Sequence, residues 1–82
     1  MNLITELNDL MSEMYEKGDI NGTDLNNVAD FLNISRFTVY QYAKGNGKSI
    51  STAESIYSAF KDIVDKRKKL IEKQEILNDY AG

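Results

Sequence analysis

Residues 27–45, NVADFLNISRFTVYQYAKG, determine the fold. They contain two short apolar patterns with helical spacing, separated by Asn33. Asparagine is one of the few residues besides glycine that readily adopts the left-handed conformation of a tight turn. Ser35 follows as a favourable N-cap for a helix that begins at Arg36, and Ala29 is small enough for the two helices to cross closely. The stretch therefore predicts two short helices joined by a sharp turn.

Charge is distributed unevenly along the chain. The first 34 residues carry seven carboxylates and one lysine, whereas residues 35–52 carry three cations and no carboxylate. These cations are Arg36, Lys44 and Lys48. The whole chain has 13 Asp and Glu against 10 Lys and Arg, so the cationic run is a local feature of an acidic protein. A surface without carboxylates favours contact with a polyanion, because a carboxylate there would face phosphate at close range.

The composition excludes several classes of function. At 82 residues the chain is expected to form one domain with a modest core. It contains no cysteine and no histidine, so disulfides, thiolate metal sites, the usual general base and the familiar catalytic triads are not available. We therefore expect no catalytic residues, no metal and no cofactor. No apolar run reaches the roughly 18 residues of a membrane span and no leader pattern is present, so we expect a cytoplasmic protein without a membrane partner.

Further helices are predicted on both sides of this stretch. Thr23 is a plausible N-cap for the helix that contains Ala29, and Ser51 and Glu54 have the spacing of a capping box at the start of a fourth helix. Gly18 is expected to end the first helix in a left-handed cap. That helix covers about residues 3–17, and its apolar stripe consists of Leu3, Leu7, Leu10 and Met14.

The fourth helix has no stop signal between residue 52 and about residue 78, which makes it roughly 40 Å long. Its predicted apolar stripe is Ile56, Phe60, Ile63, Leu70 and Leu77, with Arg67 and Gln74 at the remaining heptad places. A domain of this size cannot cover the whole stripe. We therefore expect dimerisation through Ile63, Leu70 and Leu77, either with the same helix or with the leucine stripe of the first helix in another copy.

The sequence thus predicts an all-α fold of about four helices with a long C-terminal helix. Residues 1–64 are expected to form the compact domain and residues 65–82 a helical extension that is a possible dimerisation element. The basic run KRKK at residues 66–69 invites a nucleic-acid interpretation. Its lysines, however, have the i,i+4 spacing to carboxylates that is typical of a solvated helix face. These pairs are Asp62 with Lys66, Asp65 with Lys69 and Lys68 with Glu72.

The segment NVADFLNISRFTVYQYAKG resembles the helix-turn-helix of the lambda-repressor-like superfamily, which includes the Cro and phage-repressor group and the lactose-repressor headpiece group. The motif VADFLNIS, followed by TV and by IS before a further helix, is similar to the lactose-repressor pattern with an extra loop residue. The helix before the motif is more like a Cro-type protein. The resemblance covers about half of the chain, from Asp24 to Ile63. Two residues depart from the pattern: Asn33 replaces the usual glycine, and Leu25 replaces a glutamine that often holds phosphate.

The resemblance implies which residues contact DNA. Arg36, Phe37 and Gln41 match base-reading positions, and these residue types can contact guanine, thymine methyl and adenine edges respectively. Phe37 could instead be a core residue or an anchor for a protein partner. Positions on the phosphate side, including one in the loop after the helix, are Ser35, Thr38, Tyr40, Lys44 and Lys48.

The expected function is sequence-specific binding of double-stranded DNA by a homodimeric transcriptional repressor or regulator of phage, plasmid or bacterial origin. A homodimer implies a palindromic operator. The alternative is a helix-turn-helix scaffold used as a protein-interaction module, such as an antirepressor or a modulator of a host protein. In that case Phe37, Tyr40 and the acidic first helix would contact the partner.

Overall fold

The computed structural model describes the backbone of residues 2–81 and the side chains of residues 2–73. Four helices form this part of the chain, and it contains no strand. The all-helical fold with a long last helix is therefore confirmed. The helices are α1 (Leu3–Glu16), α2 (Gly22–Leu32), α3 (Arg36–Ala43) and α4 (Ile50–Ala81).

The turn between α2 and α3 has the predicted geometry. Asn33 adopts φ 57° and ψ 48°, which is the left-handed conformation. The Ile34 amide then donates to the carbonyl of Ala29 at 3.0 Å, so the backbone reverses within a few residues. Gly18 and Gly45 have φ 79° and 85°, which places left-handed residues after α1 and α3 as well.

The N-terminus of α2 is capped by Asn21, and the prediction of Thr23 was wrong. The Asp24 amide donates to Asn21 Oδ1 at 3.0 Å, and the Asn21 amide donates to Asp24 Oδ2 at 2.8 Å. This reciprocal pair satisfies two of the amides that a helix N-terminus leaves without a partner. Thr23 instead lies in the first turn of the helix.

The start of α4 also differs from the expectation. Ser49 is the capping residue, because its Oγ accepts from the Thr52 amide at 3.3 Å and its carbonyl accepts from the Ala53 amide at 2.9 Å. Ser51 therefore lies inside the helix and does not form a capping box with Glu54.

The buried stripe of α1 is rotated relative to the predicted one. Leu7 and Met11 are buried, while Leu3 and Leu10 remain almost half exposed. The reason is the buried side chain of Asn8. Its Nδ2 donates to the Gly47 carbonyl at 2.9 Å, and its Oδ1 accepts from the Gly47 amide at 3.2 Å. Two hydrogen bonds to backbone thus turn a polar residue inward and move both leucines toward solvent.

The core runs along α4 with the period of a straight α-helix. Its buried residues on α4 are Ala53, Ile56, Phe60 and Val64. Beyond Phe60 the buried positions and the predicted heptad stripe diverge, because a straight α-helix drifts away from a seven-residue repeat. Ile63 is only partly buried against the core and Leu70 is largely exposed, whereas Leu77 lies outside the residues whose side chains the structure describes.

Arg67 joins α4 to the N-terminus of α2. Its guanidinium donates to Asp24 Oδ2 at 2.8 Å and to Asp24 Oδ1 at 2.6 Å, and Nη1 also donates to the Asp19 carbonyl at 2.9 Å. Arg67 stands at its predicted heptad place on α4, and this bidentate pair directs its side chain toward α2. Hydrogen bonds from Arg67 lower the pKa of Asp24, against the effect of burial, and the Asn21 amide adds to the decrease.

Candidate nucleic-acid interface

The first turn of α3 is held by two hydroxyl groups. Ser35 Oγ accepts from the Thr38 amide at 3.1 Å, and the two hydroxyl oxygens are 2.7 Å apart. Ser35 is therefore the N-cap, as predicted. The side chains of Ser35 and Thr38 fix the angle at which α3 leaves the turn, and the exposed Ser35 hydroxyl can still contact an external group.

Burial of one side of α3 decides which side chains face solvent. Val39, Tyr42 and Ala43 are buried. At 100° per residue the opposite side is centred on Phe37 and Lys44. The outer face of α3 is defined by the predicted contact residues that surround this centre: Arg36, Phe37, Tyr40, Gln41 and Lys44.

Phe37 is 70% exposed, so it is not a core residue. It lines a shallow groove between α2 and α3 together with Arg36 and Tyr40. Arg36 is also exposed, whereas Gln41 is partly buried on the other flank of the helix. The structure thus brings Arg36 and Phe37 together at the front of α3 and places Gln41 one turn further along, to the side.

Tyr40 and Lys44 form a stacked pair at the outer edge of α3. The Tyr40 ring meets the Tyr15 ring of α1 edge-on, with centroids 6.2 Å apart. Lys44 Nζ lies 5.1 Å from the centroid of the Tyr40 ring, within the range of a cation–π contact. Hydrogen bonding to Tyr40 raises the pKa of Lys44, and Glu16 adds a smaller effect. Lys44 therefore carries its charge at neutral pH.

Lys48 is exposed in the loop between α3 and α4. This loop is held at two points. Asn8 binds both the amide and the carbonyl of Gly47, and the Ser49 amide donates to the Tyr42 hydroxyl at 2.9 Å. The hydrogen bond to buried Tyr42 fixes the backbone next to Lys48, directly after α3.

The groove beside α3 includes residues that the sequence analysis missed. Asn26 and Gly22 of α2 line it with Arg36 and Phe37. The side-chain amide of Asn26 is partly exposed and could donate to or accept from a ligand in this groove. The only sequence signal for Asn26 is its place one position after Leu25, at the border of the apolar face of α2.

The residues predicted to mediate dimerisation lie apart from the outer face of α3. Ile63 and Leu70 are on α4, where Ile63 lines a groove with Phe31 of α2. Phe31 is 81% exposed, and the sequence analysis had not assigned it a role. In the described side chains no cluster of three potential ligands for a metal ion is present.

No protein-family model, no curated protein and no solved structure matches this chain. None of the helices in the described residues combines the length and the apolar character needed to cross a membrane.

Proposed function

We propose that the chain binds double-stranded DNA sequence-specifically, with α3 as the recognition helix of a homodimeric transcriptional regulator. The outer face of α3 is the observation that supports this proposal. It presents two cations, two aromatic rings and one amide, and residues 35–52 contain no carboxylate although the protein is acidic. A short helix capped at Ser35 can enter the major groove, which is about 12 Å wide.

The residue types at the front of α3 match base edges. Arg36 can donate two hydrogen bonds to O6 and N7 of guanine, and Gln41 can form a bidentate pair with adenine. Phe37 can contact the methyl group of thymine. Because Arg36 and Gln41 lie on opposite flanks of the outer face, we expect them to read different base pairs.

The phosphate contacts are assigned to residues around this front. Lys44 and Lys48 supply charge, and Ser35, Thr38 and Tyr40 supply hydroxyl groups that can donate to phosphate oxygens. The net charge of −3 argues against tight non-specific binding. It does not cancel a local positive field, because charges separated by more than about 10 Å are largely screened at 0.1 M salt.

A homodimer is part of the proposal because one recognition helix of this size reads only about 4–6 base pairs. Two copies on an inverted repeat double the contacts and supply the missing specificity. The exposure of Phe37 also fits the alternative function, in which this ring and Tyr40 contact a protein partner. Absence of binding to any duplex at about 50 mM salt, where phosphate attraction is strong, would favour that alternative.

We expect Arg36→Ala and Gln41→Ala each to lose roughly 1–3 kcal/mol of binding free energy on a specific duplex. Each variant removes one bidentate reader, so the base preference should relax at one position in each half-site. The measurement is fluorescence anisotropy with a selected site and its single-base variants. Lys61→Ala is the matched control, because it removes an exposed cation that is paired with Asp65 on α4. If Arg36→Ala binds all duplexes as the wild type does, α3 is not the recognition helix.

Lys44→Ala and Lys48→Ala should weaken binding to every duplex by a similar factor. Each removes one phosphate contact, so the slope of log K against log salt should decrease in magnitude by about one. Titrations of the specific site and of an unrelated duplex over a range of salt concentrations measure both effects. A changed base preference without a changed salt slope would contradict the assignment of these lysines.

A further inference from the structure

An exposed face of α1 combines apolar and acidic side chains. Leu3 and Leu10 are seven residues apart and 47% and 42% exposed. At 100° per residue they lie on one side of the helix, with carboxylates along the same flank. This acidic face consists of Leu3, Glu6, Asp9, Leu10 and Glu13.

An exposed face of α4 has the same pattern with the opposite charge. Leu70 is 61% exposed, and three lysines surround it on a shallow surface. Arg67, which lies nearby in sequence, is turned away because it binds Asp24. This basic face consists of Lys66, Lys69, Leu70 and Lys73.

The two faces have identical spacing along their helices. Each carboxylate of the acidic face matches a lysine of the basic face, and Leu10 matches Leu70. The matching residues, in order along the helices, are Glu6, Asp9, Leu10 and Glu13 on α1 and Lys66, Lys69, Leu70 and Lys73 on α4. The charges lie on the same flank of the apolar position in both helices. When two helices pack antiparallel, corresponding flanks meet. An antiparallel arrangement therefore places the carboxylates opposite the lysines.

We propose that the basic face of α4 in one copy docks antiparallel on the acidic face of α1 in a second copy, with Leu70 against Leu10. In this register Glu13 lies opposite Lys66 and Glu6 lies opposite Lys73. Both faces are exposed within one chain, so each copy offers one of each, and a twofold axis closes the dimer with two equal contacts.

Two ion pairs already present within the helices agree with this register. Lys17 Nζ lies 2.6 Å from Glu13 Oε1, and Lys66 Nζ lies 3.0 Å from Asp62 Oδ2. In antiparallel packing these two ion pairs lie side by side and run in opposite directions. Lys17 then lies close to Asp62, and Glu13 lies close to Lys66. The result is a network of four alternating charges at each contact.

Phe31 extends the docking surface at one end. Its exposed ring stands beside Asp62 and Ile63, where the C-terminal turn of the second copy's α1 would end. Pairing identical faces in the same antiparallel way is less favourable, because two α4 helices would set lysines against lysines and two α1 helices would set carboxylates against carboxylates. Juxtaposed like charges disfavour an interface.

This inference rests on the homodimer in the proposed function, but its test needs no DNA. The chain has no cysteine, so single cysteines can report the contact. We expect a disulfide-linked dimer when Leu10→Cys and Leu70→Cys chains are mixed under mild oxidation, and no crosslink in either chain alone. Lys68→Cys in place of Leu70→Cys is the matched control and should not crosslink. Crosslinking of Leu70→Cys alone, or no crosslink in the mixture, would overturn the proposal.

A charge exchange tests the register without covalent bonds. Glu13→Lys and Lys66→Glu should each weaken dimerisation by about 10-fold, and the double variant should recover most of the loss because the opposite pairing is restored. Sedimentation equilibrium measures the dissociation constants, and circular dichroism checks that the helices persist. Lys68→Glu, the same change on another side of α4, should leave the dimer unchanged.

A wild-type monomer at about 100 μM, or a double variant no better than the single ones, would overturn the interface. These results can be distinguished from a failure of the proposed function. A dimer that binds no duplex would refute DNA recognition and leave the interface standing. A monomer that binds a specific duplex would refute the interface and leave DNA recognition standing.

Discussion

Asp24→Ala should lower the free energy of unfolding by about 3 kcal/mol. The buried carboxylate accepts the Asn21 amide at the start of α2 and both arms of the Arg67 guanidinium. Alanine removes a capping interaction and leaves the guanidinium without its carboxylate partner, although Nη1 keeps the Asp19 carbonyl. Urea unfolding measures the loss. Asp30→Ala is the matched control, because Asp30 is an exposed carboxylate on the same helix and its removal should change the free energy by less than about 0.5 kcal/mol.

The same pair predicts a dependence of stability on pH. Hydrogen bonds from Arg67 lower the pKa of Asp24 from its ordinary value of 3.8. A carboxylate with a lowered pKa in the folded state stabilises the protein fully above its unfolded pKa, and the contribution is lost as the pH falls through the folded pKa. Stability should therefore fall below about pH 4, and Asp24→Asn should flatten this part of the curve. An unchanged slope in Asp24→Asn would contradict the role assigned to the pair.

Gly47→Ala should cost about 2–4 kcal/mol, because a Cβ atom at this position overlaps the ring of Tyr42. The ring cannot move aside easily, since it is buried and its hydroxyl is hydrogen-bonded to both the amide and the carbonyl of Ser49. The backbone of Gly47 is held from the other side by Asn8. Thermal unfolding should show a clearly lower Tm for this variant.

Gly22→Ala is the control for Gly47→Ala. A Cβ atom at Gly22 meets no atom within 4 Å and its φ is not in the left-handed region, so alanine should be neutral or slightly stabilising there. Equal stability of Gly47→Ala and the wild type would mean that the loop after α3 is not fixed against Tyr42. The backbone at Lys48 would then also be free to move.

Local signals in the sequence were sufficient for the motif at the centre of the chain. The turn at Asn33, the cap at Ser35 and the left-handed cap at Gly18 each depend on residues within a few positions. The inward side of α3 also has a local signal, because Val39 and Tyr42 are three positions apart, and the burial of these two residues determines the outer face that carries the candidate site.

Contacts between residues distant in sequence could not be predicted in this way. Asn8 binds Gly47 39 residues away, and this contact rotates the buried stripe of α1. Arg67 binds Asp24 43 residues away, and this pair directs the Arg67 side chain toward α2. Neither polar residue has a local pattern that marks it as buried or paired. For the same reason the place of Asn26 in the groove beside α3 required the packing of α2 on α3.

Selection of bound sequences from a pool of random duplexes at about 50 mM salt tests the central claim most directly. We predict enrichment of an inverted repeat whose half-sites are about one helical turn apart, since a dimer presents two recognition helices on one side of the duplex. The same selection with Arg36→Ala should lose the preference at one base pair in each half-site. If the wild-type chain enriches no sequence, α3 is not a DNA-reading helix, and this result would contradict the proposed function.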